Sequence, residues 1–530
     1  MYIFIIFLYI FIIYKFILYI SLHILYNNFS MNLLLTRLIL RRSVMNNKNS
    51  LLCLILTTTA LISSCSDSNA DTVTETVTTS SQTDSFYDSL NADYDGYEFT
   101  FFNPTEQFNC YIRLDFEEQT GETLDDAVYE RNSLIEDKLN CTITEFQFEG
   151  DTGWGTQQQS LCTHITQMVM AGDCDYDAAY LPVSFQPGVV TGGYLADLYS
   201  IPELQFGEEW WDNVINDSLT INDKLYTASS PLHFMSLDLA WVLLFNQNMM
   251  DDLGLEYPYD LVREGKWTLD KFNEYITGVA NLNGDSSFTW DSNGSAVYGI
   301  AEHTDSPTAF IYSAGNQLLE RDGESFKFVG NTERMYNTVD KLRSLFNVSS
   351  GNAYQSNAAM ETQSGYLYAF SVDRALFITC ELKATLELRD MNSTFGLLPL
   401  PKYDESQPDY ITNVNHITAF LTIPVTQPDM SRTGTILNAL TYESWKSVLP
   451  IYYDVSVSQK GLRNDDSIEM LDIVRSNRGV QFSEVFGITT ELSTSIQTVV
   501  NSNQDTIAST IDAGIPKVEE NLKKVLEAFE

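Results

Sequence analysis

The chain has 530 residues, with 30 Lys and Arg against 71 Asp and Glu, a formal net charge of −41. So acidic a molecule is excluded from gripping nucleic acid electrostatically, because phosphates need a basic footprint. Its length exceeds the ~250–300 residues at which one hydrophobic core stops growing, so at least two lobes are expected.

From the N-terminus, Met1 to Tyr26 is almost entirely Ile, Phe, Leu and Tyr, broken by Lys15 and His23. It is long enough to span a bilayer as a helix. Met45 nevertheless opens a complete export signal by itself. Met45 to Ser50 carries Lys48, Leu51 to Ile62 is apolar, and Ile62-Ser63-Ser64-Cys65 closes the run. Small residues followed by a cysteine form the pattern of a bacterial lipoprotein signal, in which Cys65 is lipidated; the alternative is a plain signal peptide with an incidental cysteine. Two readings of 1–44 stand: a misassigned start, or an extra membrane segment. Residues 45–64 then read as the signal, and 65–95, rich in Ser, Thr and Asp, as the lipidated cysteine and a flexible tether.

Order is expected from the strand near Tyr97. Helical spacing runs from Asp125 to Asn140, with Thr123 and Asp126 resembling a capping box. Cys141 to Thr144 reads as a strand and Gln157 to Ala171 as a helix closed by Gly172. Tyr176 to Leu181 is the next strand. This alternation predicts α/β lobes with largely parallel sheets. It continues with an apolar strand at Ala240 to Asn246, helices capped by Thr268 and Thr332, and strands at Ala375 to Thr379 and Phe395 to Leu398. After Tyr410 the pattern is mostly helical, and the last helix is expected to begin at Pro516.

Beyond Cys53 and Cys65, five cysteines remain: Cys110, Cys141, Cys162, Cys174 and Cys380. They permit two disulfides at most, with no pairing given by sequence, or buried free thiols. No Cys/His pair has zinc-ligand spacing, so no metal and no cofactor is expected. The loops Asn281 to Asp285 and Asp291 to Gly294 are oxygen-rich; turn chemistry explains them, with Ca²⁺ the alternative. No HExxH, GxSxG, Walker or GxGxxG motif is present, and no enzymatic activity is expected. An envelope glycoside hydrolase using an acid pair remains the alternative, with a non-catalytic surface interaction lipoprotein as the third reading.

Several stretches in order resemble the extracellular solute-binding proteins of bacterial ABC importers, carbohydrate family 1. They are Thr120 to Tyr129, Met170 to Asp173, Gly193 to Leu198, Leu243 to Asn246, Asp252 to Leu255, Tyr257 to Thr268, Phe395 to Tyr403 and Ser467 to Asp472. Two positions depart from the pattern: Gln247 follows Asn246 where Lys is common, and Asp373 precedes Arg374 where Gly is. The resemblance implies a two-lobed periplasmic-binding-protein-like fold (type II), with a ligand cleft between lobes joined by hinge-crossing strands. By it, lobe one holds 96–232 and 424–449, lobe two holds 246–410 and 451–530, and the crossings are 233–245 and 411–423.

The implied function is a lipid-anchored protein at the outer face of the membrane, which captures a sugar or oligosaccharide and delivers it to an ABC permease. The implied partners are the carbohydrate, the permease and the membrane; a monomer is expected. Ligands of open α/β sheets sit beyond the strands' carboxyl ends. That rule selects Phe102 and Asn103, then Tyr180, Ser184 and Phe185, and in lobe two Asp305, Tyr312 and Glu381, with Cys380 in a comparable position. His233 and Asn415 are added near the crossings. Arg475 and Arg478 either face the cleft or end a helix favourably.

Overall fold

The computed structural model of the protein describes residues 85–105, 111–150, 155–323, 325–358, 362–457, 462 and 464–530. The lipoprotein signal, Cys65 and Cys110 lie outside these residues.

In the first lobe, strand β1 (Tyr97–Pro104) is followed by helix α1 (Thr123–Leu139), β2 (Cys141–Phe148), helix α2 (Thr156–Ala171) and β3 (Ala178–Pro182). β1 pairs in parallel with both β2 and β3. Phe99, Phe101 and Phe102 are all fully buried, as befits a central strand with both faces covered. Gly172 ends α2 in the left-handed conformation, φ 79°. The capping box expected at Thr123 is absent: Glu122 is the N-cap and makes no side-chain cap bond. Asp126 instead accepts the amides of Thr120 and Gly121, bracing the loop before the helix.

The second sheet begins at β4 (Trp241–Asn246), whose residues are all buried. Helix α3 (Leu269–Ile276) is capped by Thr268, which accepts from Lys271 N, while fully buried Trp267 donates to Pro399 O. β5 (Tyr298–Glu302) leads into helix α4 (Ser306–Ser313). The hairpin β6 (Leu319–Asp322) and β7 (Ser325–Phe328) precedes helix α5 (Glu333–Leu345), capped by Thr332 as expected. Then come β8 (Ala353–Gln355), β9 (Ala375–Glu381) and β10 (Phe395–Leu398). The sheet order is β10-β4-β9-β5-β8, with β5 parallel to β8 and β9, and β4 antiparallel to β9 and β10.

The chain passes between sheets through paired segments. Ala228 and Leu421 exchange amide hydrogen bonds, and Asn415 N donates to Leu239 O. After β11 (Thr412–Asn413), β12 (Ala419–Thr422) joins the first sheet antiparallel to β3, giving the order β12-β3-β1-β2. Helix α6 (Met430–Glu443) continues through a π-helical turn, Ser444–Val448, into helix α7 (Leu449–Val457). In α7, Tyr452 packs in one cluster with Ala127 and Val128 of α1. The chain from 451 to 457 thus lies on the first lobe, not on the second as the 451–530 assignment had it. Helix α8 (Asp465–Ser476) returns to the second lobe, where Tyr259 Oη is 3.0 Å from Ser467 Oγ and Arg263 pairs with Glu469. β13 (Arg478–Gly479) pairs with β11.

Two further expectations are corrected. The tether does not run to residue 95, because Ser85–Ser89 is helical and the Phe86 ring stacks on Tyr442 with centroids 3.8 Å apart. Pro516 does not start the last helix: helix α9 (Thr490–Asn501) is followed by helix α10 (Ile507–Ala528), which contains it. Buried Ile507 and Ile511 hold the preceding turns, so packing overrides the proline's preference for a first turn. Cys141, Cys162, Cys174 and Cys380 are free thiols. In the oxygen-rich loops, Asp285 accepts the amides of Ser295 and Ala296, and Asp291 that of Asn293, as turn chemistry requires.

Candidate ligand-binding site

A cavity of about 660 Å³ opens between the lobes. One wall comes from the first lobe: Trp210, Trp211 and Asp212 before the helix Asn213–Leu219, Ser230, Pro231, Phe234, Ser236 and Leu237 at the crossing, and Trp445, Lys446 and Tyr453 around the π-helical turn. The opposite wall is the end of α8, with Arg475 and Ser476, and Arg478 just beyond it. Such a π turn adds one residue to the helix and re-aims the side chains on it. Here it carries Trp445 and Lys446. Trp211 is buried and donates its indole N–H to Leu204 O. Trp210 is half-buried and donates to Asn438. Both indoles are thus held by their polar edges.

The charged groups are fixed as well. Arg478 forms an ion pair with Asp212 across the cavity, with side-chain exposures of 18% and 10%. Asp212 also accepts from Ser229 Oγ, and Arg478 donates to Arg475 O, closing the end of α8. The Arg475 guanidinium lies 4.1 Å from the centre of the Tyr453 ring. Behind the wall, Asp238 accepts a hydrogen bond from Tyr452 at 2.7 Å, and burial pushes its carboxyl up to about 6.

The residues selected from strand ends fall elsewhere. Tyr180 and His233 stack with ring centroids 4.3 Å apart, directly behind Ser230. Both imidazole nitrogens are buried without a side-chain hydrogen-bond partner among the described residues, and the Tyr180 hydroxyl faces Ser230. Burial holds His233 down at about 3, so its ring is neutral. Asn415 donates to Glu381 at 2.9 Å, joining the returning crossing to the end of β9. Ser184 N donates to His416 O, beside that pair. Asp305 is 3.4 Å from His303 and accepts from Gln497.

The other four lie apart. Phe102 is a core ring, stacked on His164 at 5.3 Å and tilted against Tyr176. Asn103 is buried and donates to Ile112 O and Glu145. Phe185 lines a separate open hollow with Phe148 and His164, and Tyr312 a smaller one of about 200 Å³ with Phe326 and Phe482. None of the selected residues lines the cavity between the lobes, whereas Arg475 and Arg478 do; the hollow beside Phe185 has the same volume, about 660 Å³, but is walled by the first lobe alone. The strand-end rule missed the cavity because its walls come from loops and helix ends. The run Glu208-Glu209-Trp210-Trp211-Asp212, two indoles within an acidic loop, was the available signal.

No protein-family model matches the chain, and no curated protein sequence does. Solved structures do match it. An ABC substrate-binding protein from Listeria monocytogenes in complex with cycloalternan is similar over 81% of this chain and 100% of its own, at 12% identity and TM-score 0.53. A cyclo/maltodextrin-binding protein complexed with maltotetraose matches 80% of this chain and 97% of its own, at 14% identity and TM-score 0.53. A sugar transporter from Rhizobium etli in an open conformation matches 81% and 99%, at 14% identity and TM-score 0.52. At such identities the likeness is one of fold, and the chain has the two-lobed periplasmic-binding-protein architecture of these molecules.

Proposed function

We propose that the protein captures a sugar or short oligosaccharide between its lobes and delivers it, chemically unchanged, to the permease of an ABC importer. The observation that carries this reading is the cavity of about 660 Å³ lined by Trp210, Trp445 and Tyr453. Its volume lies in the ~300–1,000 Å³ range of small-molecule sites. Half-buried aromatic faces suit the C–H faces of pyranose rings, and Asp212, Ser230, Arg475 and Arg478 supply hydrogen bonds for hydroxyls. The sugar-bound state of two of the similar structures supports the ligand class. Lobe closure around the ligand is a shift toward a form whose contacts exist only when closed. Lobe one in this reading is 85–232 with 424–457, and lobe two is 246–410 with 464–530.

The lipid on Cys65 and a tether keep the protein at the outer face of the membrane and near its permease. Among the described residues no helix is long and apolar enough to cross a membrane.

The test is calorimetric titration of the full chain in detergent with mono- and oligosaccharides, followed by chromatography of the recovered sugar. Binding with intact sugar is expected. Trp445→Ala is expected to weaken it at least about tenfold, the loss usual for an aromatic anchor. Cleaved sugar would turn the reading to a hydrolase, and absence of binding across the panel to a surface interaction protein.

A further inference from the structure

We infer that the ligand of this cavity is an acidic carbohydrate, one carrying a carboxylate such as a uronic acid. The inference rests on the carbohydrate reading above and adds to it the charge of the sugar.

The first observation is the local sign of charge. The chain as a whole carries 71 acids against 30 bases. The cavity wall reverses that ratio, with Lys446, Arg475 and Arg478 against Glu209 and Asp212. Arg478 and Asp212 cancel one another in their ion pair. Glu209 and Lys446 are both exposed, so solvent screens these two opposite charges alike and Arg475 is left as the cation that tips the balance of the wall.

The second observation is that Arg475 is held but not spent. The end of a helix is the negative pole of its dipole and attracts a cation. Arg478 already meets that demand by donating to Arg475 O at 2.8 Å. Among the described residues Arg475 pairs with Asp472, a turn earlier on the same helix, 3.7 Å away and 60% exposed. Such a pair is weak and screened. The guanidinium is held over the Tyr453 ring, 4.1 Å from its centre, and its planar fork carries more N–H donors than the Asp472 contact uses. A carboxylate matches that fork with two parallel hydrogen bonds, which a hydroxyl cannot make.

The third observation is the aromatic surface beside this fork. Trp210 and Trp445 line the same cavity as Arg475 and Tyr453 and give a pyranose ring apolar faces to stack on. A small anion such as phosphate would use the arginine and leave the rings idle. A neutral sugar would use the rings and leave the charge idle. A sugar acid uses both.

The experiment titrates the full chain in detergent with matched pairs: di- and trisaccharides of galacturonate, glucuronate and mannuronate, and their neutral galactose, glucose and mannose counterparts. At least one acidic member is expected to bind about tenfold or more tighter than its neutral partner, the size of one charge-assisted hydrogen bond. That preference is expected to shrink with added salt. Arg475→Met is expected to bring the acidic-to-neutral ratio toward one, and Arg475→Lys to restore part of it, with unfolding temperatures showing that both variants fold. Neutral sugars binding as well as or better than every acidic partner would overturn the acidic inference and leave the carbohydrate reading intact. Inorganic phosphate competing as well as the uronate would also overturn it. No sugar of either kind binding would overturn both.

Discussion

Two buried titratable residues behind the cavity make opposite demands on pH. His233 is stacked on Tyr180 and held at about 3, below its ordinary 6.5, so the folded state binds fewer protons there than the unfolded state. Its contribution to stability is present above pH 6.5 and is lost as pH falls from there toward about 3. An NMR titration is expected to show no His233 midpoint near 6.5; a midpoint there would contradict its burial. Asp238 is raised from 3.8 to about 6, so here the folded state binds more protons. Stability is fully present below pH 3.8 and is lost as pH rises to about 6. Asp238→Asn should therefore gain in melting temperature over the wild type across that window, and parallel pH profiles would contradict this account. Neither residue was legible at this level from sequence. His233 was selected for its position near a crossing, but its stacking on Tyr180 depends on two segments that only the fold brings together.

Among the elements, those with a local cause were read correctly. Thr268 and Thr332 cap their helices because each accepts an amide three residues on, a bond the sequence spacing announces. Thr332→Ala is expected to cost about 1 kcal/mol by denaturant unfolding, and no change would show the cap to be idle. The elements misread were those decided by packing. Pro516 signals a helix start locally, yet α10 begins at Ile507 because its first turns bury Ile507 and Ile511. Gly396 is another such position. A Cβ there would sit 2.3 Å from Tyr259 Oη and 2.4 Å from the Phe245 ring, so β10 can approach β4 and the helix Tyr259–Arg263 this closely only with glycine. Gly396→Ala is expected to destabilise by about 1–3 kcal/mol, as overpacking does. An unchanged unfolding midpoint would contradict the close approach.

For the whole molecule, the alternation of strands and helices was enough to expect two α/β lobes. The cavity between them was not legible, because its walls come from four separated segments, near 210, 234, 449 and 477. Only the fold brings those segments together, and the π-helical turn that carries Trp445 has no sequence signature. The lobes meet there through the Arg478–Asp212 pair, which is largely buried. Breaking it by Asp212→Ala leaves a guanidinium uncompensated and is expected to cost about 3 kcal/mol, with a larger radius of gyration by X-ray scattering as the lobes part. A variant as stable and as compact as the wild type would show that the pair does not hold the lobes together. The central claim is capture of a sugar in this cavity without chemistry on it. Its most direct test is the thermal unfolding of wild type and Trp445→Ala with each sugar at 100-fold its dissociation constant for the wild type. The wild type should gain about 2.7 kcal/mol, a shift of a few degrees, with the sugar recovered intact and the gain much reduced in the variant. A gain undiminished in Trp445→Ala would place the ligand elsewhere, and no gain with any sugar would contradict the account.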